Sequence, residues 1–297
     1  MSWEYGPLAT EVYELDKPIG CRSADVDYYL ALVADVSGPI LDAGTGTGRM
    51  LIPLLEAGHQ VEGLDSSPDM LGRCRQHCRD RGFDPVLREA DMTVFVQLAA
   101  YEAVVIPEGS IALLDGRLAT LQALTCFRDS LVPGGRLYVD VPLCSLPAAP
   151  AAVCHWRRDP YLWTVQTMHV EHDPAVNQTT RFLRYDKWQD GVLCATELQT
   201  RRLQHWSGQE FEDLLAEAGF TNTRVTANYE HGLGSTDENS VWTYQAATPH
   251  EVAKYTGGSR TSTGRVATAS SLLSPAESQD RPAPQRRLAV RSGQAPG

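Results

Sequence analysis

Short apolar runs alternate with longer amphipathic segments along the first half of the chain. The apolar runs predict five β-strands, at Pro39–Ala43, Gln60–Leu64, Pro85–Glu89, Ala103–Ile106 and Arg136–Val141. Leucines at helical spacing and proline stop signals predict helices at Thr47–Ala57, Pro68–Arg81 and Ile111–Leu131. Alternating strands and helices predict parallel strands joined by crossover helices, which is an open α/β sheet. Ligands in such sheets bind at the carboxyl ends of the strands.

The hydrophobic pattern changes after Pro150. Three segments there alternate polar and apolar residues and predict an antiparallel insert of two or three strands, at Trp163–Glu171, Thr179–Trp188 and Val192–Trp206. A helix at Gly208–Ala218 and strands at Phe220–Thr226 and Val241–Ala247 then return to the main sheet. The predicted fold is a Rossmann-like, seven-stranded, mostly parallel sheet with an antiparallel β insert, at about residues 150–206, after strand 5.

The two ends of the chain differ from this central part. Residues 1–37 have a helical pattern with several aromatic side chains. From residue 249 to residue 297, Ser, Thr, Gly, Pro and Arg dominate, and seven basic against three acidic residues give +4, which leaves −15 for the remainder. Such a composition cannot bury enough apolar surface to offset its ordering entropy, so we expect a disordered tail at 249–297 and a folded domain at 38–248.

Charge and composition exclude several classes of function. The net charge of −11 does not favour nucleic acid or an anionic membrane as a partner. Neither an apolar run long enough to span a bilayer nor a secretory signal is visible, and seven scattered cysteines fit a reducing cytoplasm. Cys74 and Cys78 are four residues apart, but no second pair with ligand spacing follows, so no metal site is predicted.

A glycine-rich turn, LDAGTGTGRM at 41–50, follows the first strand. The dinucleotide pattern G-x-G-x-x-G fails when counted from Gly44, because its last position falls on Arg49. The pattern acidic-x-G-x-G-x-G fits without a gap, from Asp42 through Gly44 and Gly46 to Gly48. Three glycines without side chains indicate that a ligand approaches the backbone closely.

This spacing resembles the first motif of the class I S-adenosylmethionine (SAM) dependent methyltransferases. The resemblance implies that the turn, including Thr45, holds the amino-acid end of SAM, with which any Cβ on the glycines would collide. It also implies that Asp42 meets the SAM ammonium group and that Arg49 pairs with the SAM carboxylate. The helix that follows offers free N–H groups to that carboxylate.

Four further segments agree with the family in order and spacing. The second strand ends in Asp65, and the acid at this position in the family accepts hydrogen bonds from both ribose hydroxyls. Ser66 and Met70 follow as in the family's usual continuation, in which Met70 is implied to pack near the adenine. The third strand leads into Asp91 and Met92, implied to contact the adenine amino group and a ring nitrogen. The segment VVIPEGS at 104–110 places Pro107 in the cofactor site, and LVPGGRL at 131–137 matches the turn before strand 5.

The whole chain is similar to the small-molecule branch of the family, which includes amino-sugar N,N-dimethyltransferases and glycine N-methyltransferase-like proteins. The resemblance implies a SAM-dependent transfer of a methyl group to nitrogen or oxygen of a small molecule, such as a natural-product intermediate. Two alternatives stay open at this point. One is a non-catalytic SAM-fold protein that binds a partner through its insert and tail, and the other is an NAD-dependent oxidoreductase, which the glycine spacing disfavours.

The acceptor is expected beside residues 107–110, under a lid formed by the N-terminal helical segment and the insert. Tyr13 is implied to close over SAM, and Glu108 is a candidate for positioning the acceptor. The first candidate for a general base is His169, which strand alternation places on one face with Glu171 and opposite His172. Exposed strands in the insert would also favour a homodimer.

Overall fold

A computed structural model describes residues 5–21, 23–143, 153–230 and 241–250 of the chain. Its strands are β1 (Ile40–Ala43), β2 (Val61–Asp65), β3 (Leu87–Glu89), β4 (Tyr101–Ile106), β5 (Leu131–Pro142), β6 (Val153–Arg158), β7 (Tyr161–Asp173), β8 (Gln178–Gln189), β9 (Val192–Gln204), β10 (Thr221–Ala227) and β11 (Val241–Ala247). Its α-helices are α1 (Pro7–Asp16), α2 (Ala24–Leu32), α3 (Leu51–Glu56), α4 (Pro68–Asp80), α5 (Gly116–Ser130) and α6 (Gly208–Glu217), and a 3₁₀ segment spans Pro107–Leu113.

The main sheet has seven strands in the order β10-β11-β5-β4-β1-β2-β3. Strands β1 to β5 run parallel, while β11 pairs antiparallel with both β5 and β10. Strand β1 lies in the centre, and Asp42 is in register with Gly63 of β2 and Val105 of β4. This confirms the predicted Rossmann-like, mostly parallel sheet and brings the carboxyl ends of β1, β2 and β4 to one edge.

Each face of this sheet carries its own apolar core. Leu41 and Ala43 of β1 pack on one side with α5 and α6, while Ile40 packs on the other side with α2 and α3. Because both faces are covered, every residue of β1 is buried, including Asp42. A continuous apolar run is therefore what a central strand of this sheet requires.

Two helices are shorter than their patterns predicted. The predicted helix Thr47–Ala57 begins only at Leu51, because the preceding residues form the glycine turn and Gly48 has φ +94°. The predicted helix Ile111–Leu131 is divided into the 3₁₀ segment Pro107–Leu113 and helix α5. Gly116 at φ +77° stands at the break, since a positive φ does not fit a continuous right-handed helix.

The insert forms a separate antiparallel sheet of four strands, β6-β7-β8-β9, rather than the two or three predicted. The strand that sequence analysis missed is β6, whose sequence VCHWRR is mostly exposed and has no regular polar–apolar alternation. It pairs with β7 from Val153 opposite Gln166 to Arg158 opposite Tyr161. Cross-strand pairing rather than the local pattern therefore determines this strand.

The N-terminal helix α1 packs on one face of the insert sheet. Leu8 and Val12 of α1 contact a cluster that contains Trp163, Leu183 and Tyr185. We call this face of the insert its inner face. The predicted disorder of residues 251–297 lies outside the described residues, and among the described helices none is both long and apolar enough to cross a membrane.

Candidate functional site

The glycine turn closes directly onto the end of β2. The backbone N–H groups of Gly44 and Thr45 both donate to the carbonyl of Leu64, at 2.7 and 3.0 Å. Gly44, Gly46 and Gly48 all have positive φ, at +77°, +55° and +94°. The left-handed conformation at three alternate residues explains the choice of glycine, because other residues occupy it at an energetic cost.

The space around these glycines corrects part of the sequence interpretation. A Cβ on Gly44 would lie 2.6 Å from the hydroxyl oxygen of Ser110, and one on Gly48 would lie 3.0 Å from the sulfur of Cys74. At both positions the neighbour that excludes a side chain is therefore the protein itself. Only at Gly46 would a Cβ meet nothing nearer than 3.9 Å, from the sulfur of Met70.

Asp42 is the most unusual polar group of this edge. Its side chain is fully buried, and its Oδ2 accepts a hydrogen bond of 2.7 Å from Thr45 Oγ1. Its Oδ1 is buried, and no residue that the structure describes forms a hydrogen bond with it by distance and angle. Burial raises the pKa of Asp42 to about 7, which the hydrogen bond from Thr45 opposes only partly. A buried, unpaired carboxylate oxygen is well suited to a cationic ligand group.

Asp65 stands one strand away and is held by the backbone. Its Oδ2 accepts from the N–H of Gly46 and its Oδ1 from the N–H of Ser67, both at 2.8 Å. Burial raises the pKa of Asp65, while these backbone donors lower it. The backbone contacts fix the orientation of the carboxylate. Each oxygen keeps a second lone pair that can accept a hydrogen bond from a hydroxyl group.

The residues predicted to surround adenine lie near the same turn. Met70 is buried in the first turn of α4, and the methyl carbon of Met92 would be 3.9 Å from a Cβ on Gly44. Asp91 is exposed, and its Oδ1 accepts from the backbone and hydroxyl of Thr93. Ser66 is exposed beside Asp65. The predicted cofactor residues thus converge on one edge, as their positions at the strand ends require.

Arg49, which was predicted to pair with the SAM carboxylate, forms ion pairs within the protein instead. Its guanidinium forms ion pairs with Asp25 of α2 and with Glu108, the latter at 2.6 Å, and it donates to Ser23 Oγ at 2.9 Å. Two carboxylates therefore already balance the charge that the resemblance assigned to the SAM carboxylate. Its role toward a cofactor remains a prediction.

Glu108 joins α1 to the end of β4. Its carboxylate accepts from the hydroxyl of Tyr13 at 3.1 Å and from Lys17 Nζ at 2.9 Å, in addition to Arg49. Burial raises the pKa of Tyr13 well above its ordinary value, and Glu108 adds to the shift. Tyr13 is thus a hydroxyl donor at neutral pH rather than a base.

Asp140 at the end of β5 was not among the sequence candidates. It is fully buried, and four donors converge on its carboxylate, as Tyr29 and Thr243 donate to Oδ1 while Tyr229 and the N–H of Glu108 donate to Oδ2. Burial raises the pKa of Asp140 to about 6, although the four hydrogen bonds lower it. The hydrogen bond from the N–H of Glu108 helps to hold the backbone of Glu108 at φ +55°. In the sequence, the only indication that Asp140 has a special role is its position as an acid within an apolar strand.

Part of this edge encloses a narrow pocket of about 20 Å³. It is lined by Tyr13, Asp42, Gly44, Thr45, Arg49, Met50, Pro107, Glu108 and Ser110. A larger groove of about 300 Å³ lies at the amino ends of β1 and β2, beside Pro39 and Gln60. That groove is at the wrong edge for a parallel sheet of this type, in which ligands bind at the carboxyl ends. The narrow pocket is therefore the candidate site.

The predicted base His169 is not among the residues that line this pocket. Its side chain is 62% exposed and lies 3.4 Å from Glu171. A bulge in β7 between Thr167 and His169 keeps Val170 in register with Arg181 and His169 in register with Phe182. His169 and Glu171 consequently face away from α1, while His172 shares the inner face with Leu183.

The pocket residue Asp42 and the nearby Asp65 fit SAM by their chemistry. The amino-acid end of SAM carries an ammonium group, which matches Oδ1 of Asp42, and the ribose hydroxyls match the remaining lone pairs of Asp65. The turn between these two acids is bare backbone at Gly46, where a Cβ would meet nothing nearer than 3.9 Å.

Comparison with known proteins agrees with this fit. Residues 40–135 match the family model described as a methyltransferase domain. The dTDP-3-amino-3,6-dideoxy-alpha-D-glucopyranose N,N-dimethyltransferase of Streptomyces fradiae is 30% identical over 142 residues, which cover 46% of this chain and 54% of that enzyme. The match therefore spans about half the length of this curated relative.

Solved structures show the fold over a larger part of the chain. The CcbJ methyltransferase from Streptomyces caelestis superposes with a TM-score of 0.67 at 21% identity, covering 84% of this chain and 99% of that one. The sugar N-methyltransferase KedS8 from Streptoalloteichus sp. ATCC 53650 gives a TM-score of 0.62 at 17% identity, over 76% of this chain and 87% of that one. The chain thus contains a match to a methyltransferase domain at residues 40–135, and its fold resembles that of these solved methyltransferases.

Proposed function

We propose that this chain binds SAM at the β1 glycine turn and transfers its methyl group to nitrogen or oxygen of a small-molecule acceptor. The observation that carries the proposal is the buried carboxylate of Asp42, which lines the pocket at the end of β1 and whose Oδ1 has no hydrogen-bond partner among the described residues. A buried carboxylate oxygen without a donor is costly, and a ligand ammonium group removes that cost.

Each predicted residue has a distinct task in this proposal. Asp42 holds the ammonium group, Asp65 holds the ribose hydroxyls, and Met70 and Met92 pack beside the adenine. The bound cofactor supplies an electrophilic methyl group on a sulfonium centre. The protein contributes orientation, because an in-line displacement requires the acceptor atom, the methyl carbon and the sulfur to lie on one line.

The acceptor is placed beside the 3₁₀ segment Pro107–Leu113. Glu108 stands there with Tyr13 on one of its oxygens and Lys17 and Arg49 on the other, so its carboxylate is held in a fixed position. We assign it to orientation of the acceptor. An acceptor amine that arrives uncharged needs no general base in the transfer step, which is compatible with the outward position of His169.

The acceptor class is proposed from the relatives. The Streptomyces fradiae relative is named for dimethylation of an amino sugar, and KedS8 is described as a sugar N-methyltransferase. Amino sugars are therefore the first acceptors to screen, with other natural-product intermediates next. A cytoplasmic location and a homodimer through the insert stay predictions from the sequence.

Helix α1 is proposed to act as the lid of this site. It is fastened by Glu14 to His77 at 2.5 Å, by Ser67 Oγ donating to the carbonyl of Tyr5 at 2.8 Å, and by Lys17 to Glu108. The pocket beneath it is too small for a nucleoside, so binding requires α1 to shift. Hydrogen exchange should show that amides of residues 7–16 become more protected when S-adenosylhomocysteine binds.

Calorimetric titration of the full chain with S-adenosylhomocysteine tests the cofactor site. We expect binding by the wild type and at least tenfold weaker binding by Asp42→Asn. Asp80→Asn is the matched control, because Asp80 is an exposed acid whose one hydrogen bond within the described ranges comes from Gln76. No binding to the wild type at millimolar ligand would overturn the proposal. Transfer of labelled methyl from SAM to an amino sugar separates an enzyme from the non-catalytic alternative, which nothing in the comparisons favours.

A further inference from the structure

Two histidines contact one threonine on the inner face of the insert. Nε2 of His205 lies 2.8 Å from Thr179 Oγ1, and Nδ1 of His172 lies 3.4 Å from the same oxygen. Thr179 shares the inner face with Leu183, four residues further along β8. His172 of β7 is opposite Thr179, and His205 directly follows β9. Three separate segments therefore bring these side chains together.

His205 has one ring nitrogen that the rest of the protein leaves unpaired. The residue is 8% exposed, and its Nδ1 forms no hydrogen bond by distance and angle with any residue that the structure describes. Thr179 is buried as well, so the contact at Nε2 is shielded from water. A buried polar atom without a partner is costly unless a ligand supplies one. Nδ1 of His205 is therefore available to a hydrogen-bonding group of a ligand.

This end of the insert lies beside the segment where the acceptor is proposed to bind. Strand β9 contacts the 3₁₀ segment Pro107–Leu113. Gln178 of β8 donates to Asp115, just beyond that segment, at 3.3 Å. Ser110 of the segment is 2.6 Å from the position of a Cβ on Gly44 and lines the candidate pocket. The histidines are thus on the acceptor side of the pocket.

The surroundings of His205 keep its ring uncharged at neutral pH. Burial lowers the pKa of His205, and the charges of His172 on β7 and Arg181 on β8 lower it further. No carboxylate within the described ranges forms an ion pair with this ring, so nothing opposes the shift. An uncharged imidazole keeps one nitrogen that can accept a proton, which a general base at neutral pH requires.

Two arrangements of protons fit the contacts of Thr179. In the first, Nε2–H of His205 donates to Thr179, whose hydroxyl donates to Nδ1 of His172. In the second, both donations are reversed, and the proton on Nδ1 of His205 has no acceptor among the described residues. The first arrangement is favoured because it leaves no buried donor at Nδ1 unpaired.

We infer that His205 accepts the proton that the methyl acceptor loses, and that Thr179 and His172 hold its ring in the tautomer that can accept it. The inference rests on the proposed function. Methylation of an N–H or O–H group leaves one proton to be removed. The acceptor's N–H or O–H bond breaks, its electron pair stays on the nitrogen or oxygen, and the proton binds Nδ1 of His205. The ring releases this proton to water when the product leaves.

Ring ¹⁵N spectra of the full chain test the tautomer and need no acceptor. The chemical shifts distinguish protonated from unprotonated ring nitrogens, and the signals lost in His205→Gln assign those of His205. With saturating S-adenosylhomocysteine at pH 7, we expect Nε2 to be protonated and Nδ1 to be unprotonated. A proton on Nδ1 would overturn the inference, because that nitrogen could not accept another.

Transfer of labelled methyl from SAM to an amino sugar tests the role in the reaction. We expect His205→Gln and Thr179→Val to lower kcat about tenfold or more, and Thr179→Ser, which keeps the hydroxyl, to retain most of it. The kcat of the wild type should fall at acidic pH, where His205 becomes charged, and His205→Gln should lack this dependence. His155→Gln is the matched control, since His155 is an exposed histidine of β6.

The outcomes separate this inference from the proposed function. Calorimetry should show that every variant binds S-adenosylhomocysteine as the wild type does, which also shows that each is folded. A wild-type kcat in His205→Gln would overturn the inference, and equal losses in Thr179→Ser and Thr179→Val would overturn the role of the hydroxyl. Failure of the wild type to bind S-adenosylhomocysteine would overturn the proposed function instead.

Discussion

Thr45 Oγ1 donates a hydrogen bond of 2.7 Å to Oδ2 of Asp42, and Oδ1 of the same buried carboxylate has no hydrogen-bond partner in the described part of the chain. One oxygen is thus satisfied by the turn that β1 enters, and the carboxylate as a whole lines the candidate pocket. This asymmetry links the stability of the protein to its ligand, because the ionised carboxylate is fully compensated only when a cation is bound.

The pKa of Asp42, raised to about 7 from 3.8, predicts a pH dependence of folding. Between these values the folded chain holds a proton that the unfolded chain has released, so the free energy of unfolding should fall as pH rises from about 4 to about 7. The pKa of Asp140, raised to about 6, contributes a decrease of the same sign to the free energy of unfolding. Asp42→Asn should flatten the slope in urea unfolding of the ligand-free protein. An unchanged slope would contradict the assignment.

Binding should show the opposite trend with pH. A ligand ammonium group prefers ionised Asp42, so the affinity for S-adenosylhomocysteine should rise with pH up to about 7, at most tenfold per pH unit, and then level off. Calorimetry across this range measures the effect, and Asp42→Asn should remove it. Equal affinity at pH 5 and pH 7 in the wild type would argue against Asp42 as the ammonium partner.

Gly48→Ala should destabilise the protein more than Gly58→Ala. Both glycines have φ near +90°, which costs an alanine about 1–2 kcal/mol. At Gly58 a Cβ meets nothing within 4 Å, whereas at Gly48 it meets Cys74 at 3.0 Å and Ile52 at 3.2 Å. Urea unfolding measures the free energy of unfolding of both variants. The loss in Gly58→Ala reports backbone strain alone, and the additional loss in Gly48→Ala reports the close contact. Equal losses would show that backbone conformation alone selects glycine at residue 48.

Asp140→Ala should lower the free energy of unfolding by about 3 kcal/mol or more, because it removes the acceptor of four hydrogen bonds. Tyr29 and Thr243 would then be buried donors without a partner. Asp140→Asn keeps the volume and part of the acceptor capacity, so we expect a smaller loss. Chemical denaturation at pH 8 measures both, and a loss below about 1 kcal/mol in the alanine variant would contradict this role.

Glu108→Gln should reduce methyl transfer more than cofactor binding. Glu108 contacts Tyr13, Lys17 and Arg49 at the acceptor side of the pocket, whereas Asp42 and Asp65 stand at the cofactor side. We expect at least a tenfold loss of kcat/KM for an accepted amino sugar, with S-adenosylhomocysteine affinity within threefold of the wild type. An equal loss of both would place Glu108 in the cofactor site.

Much of the main sheet follows from local sequence. The apolar runs of β1, β2 and β4 and the acids at positions 42 and 65 were predictable, because buried parallel strands need continuous apolar segments and place their last residues at one edge. The positions of the glycines were also predictable, although their packing against Ser110 and Cys74 was not. Those contacts join residues that are distant in the sequence.

In the insert, the local sequence predicted neither every strand nor the face that packs on α1. Strand β6 has no alternation of its own and depends on pairing with β7. Alternation correctly separated His169 from His172, but no local pattern tells which face of the sheet meets α1. Only the packing of Leu183 and Tyr185 on α1 decided that, and it places His169 on the outer face and Arg181 on the inner face.

By itself, therefore, the sequence determined the open sheet, the glycine turn and the acids at the strand ends, since each depends on neighbours a few residues away. The tertiary structure alone decided which charges meet. Asp25 and Glu108 form ion pairs with Arg49, four donors converge on Asp140, and Arg181 is in register with Arg201 on the neighbouring strand. The physical reason is that a pairing between distant segments depends on strand register and helix packing, which no short window of sequence contains.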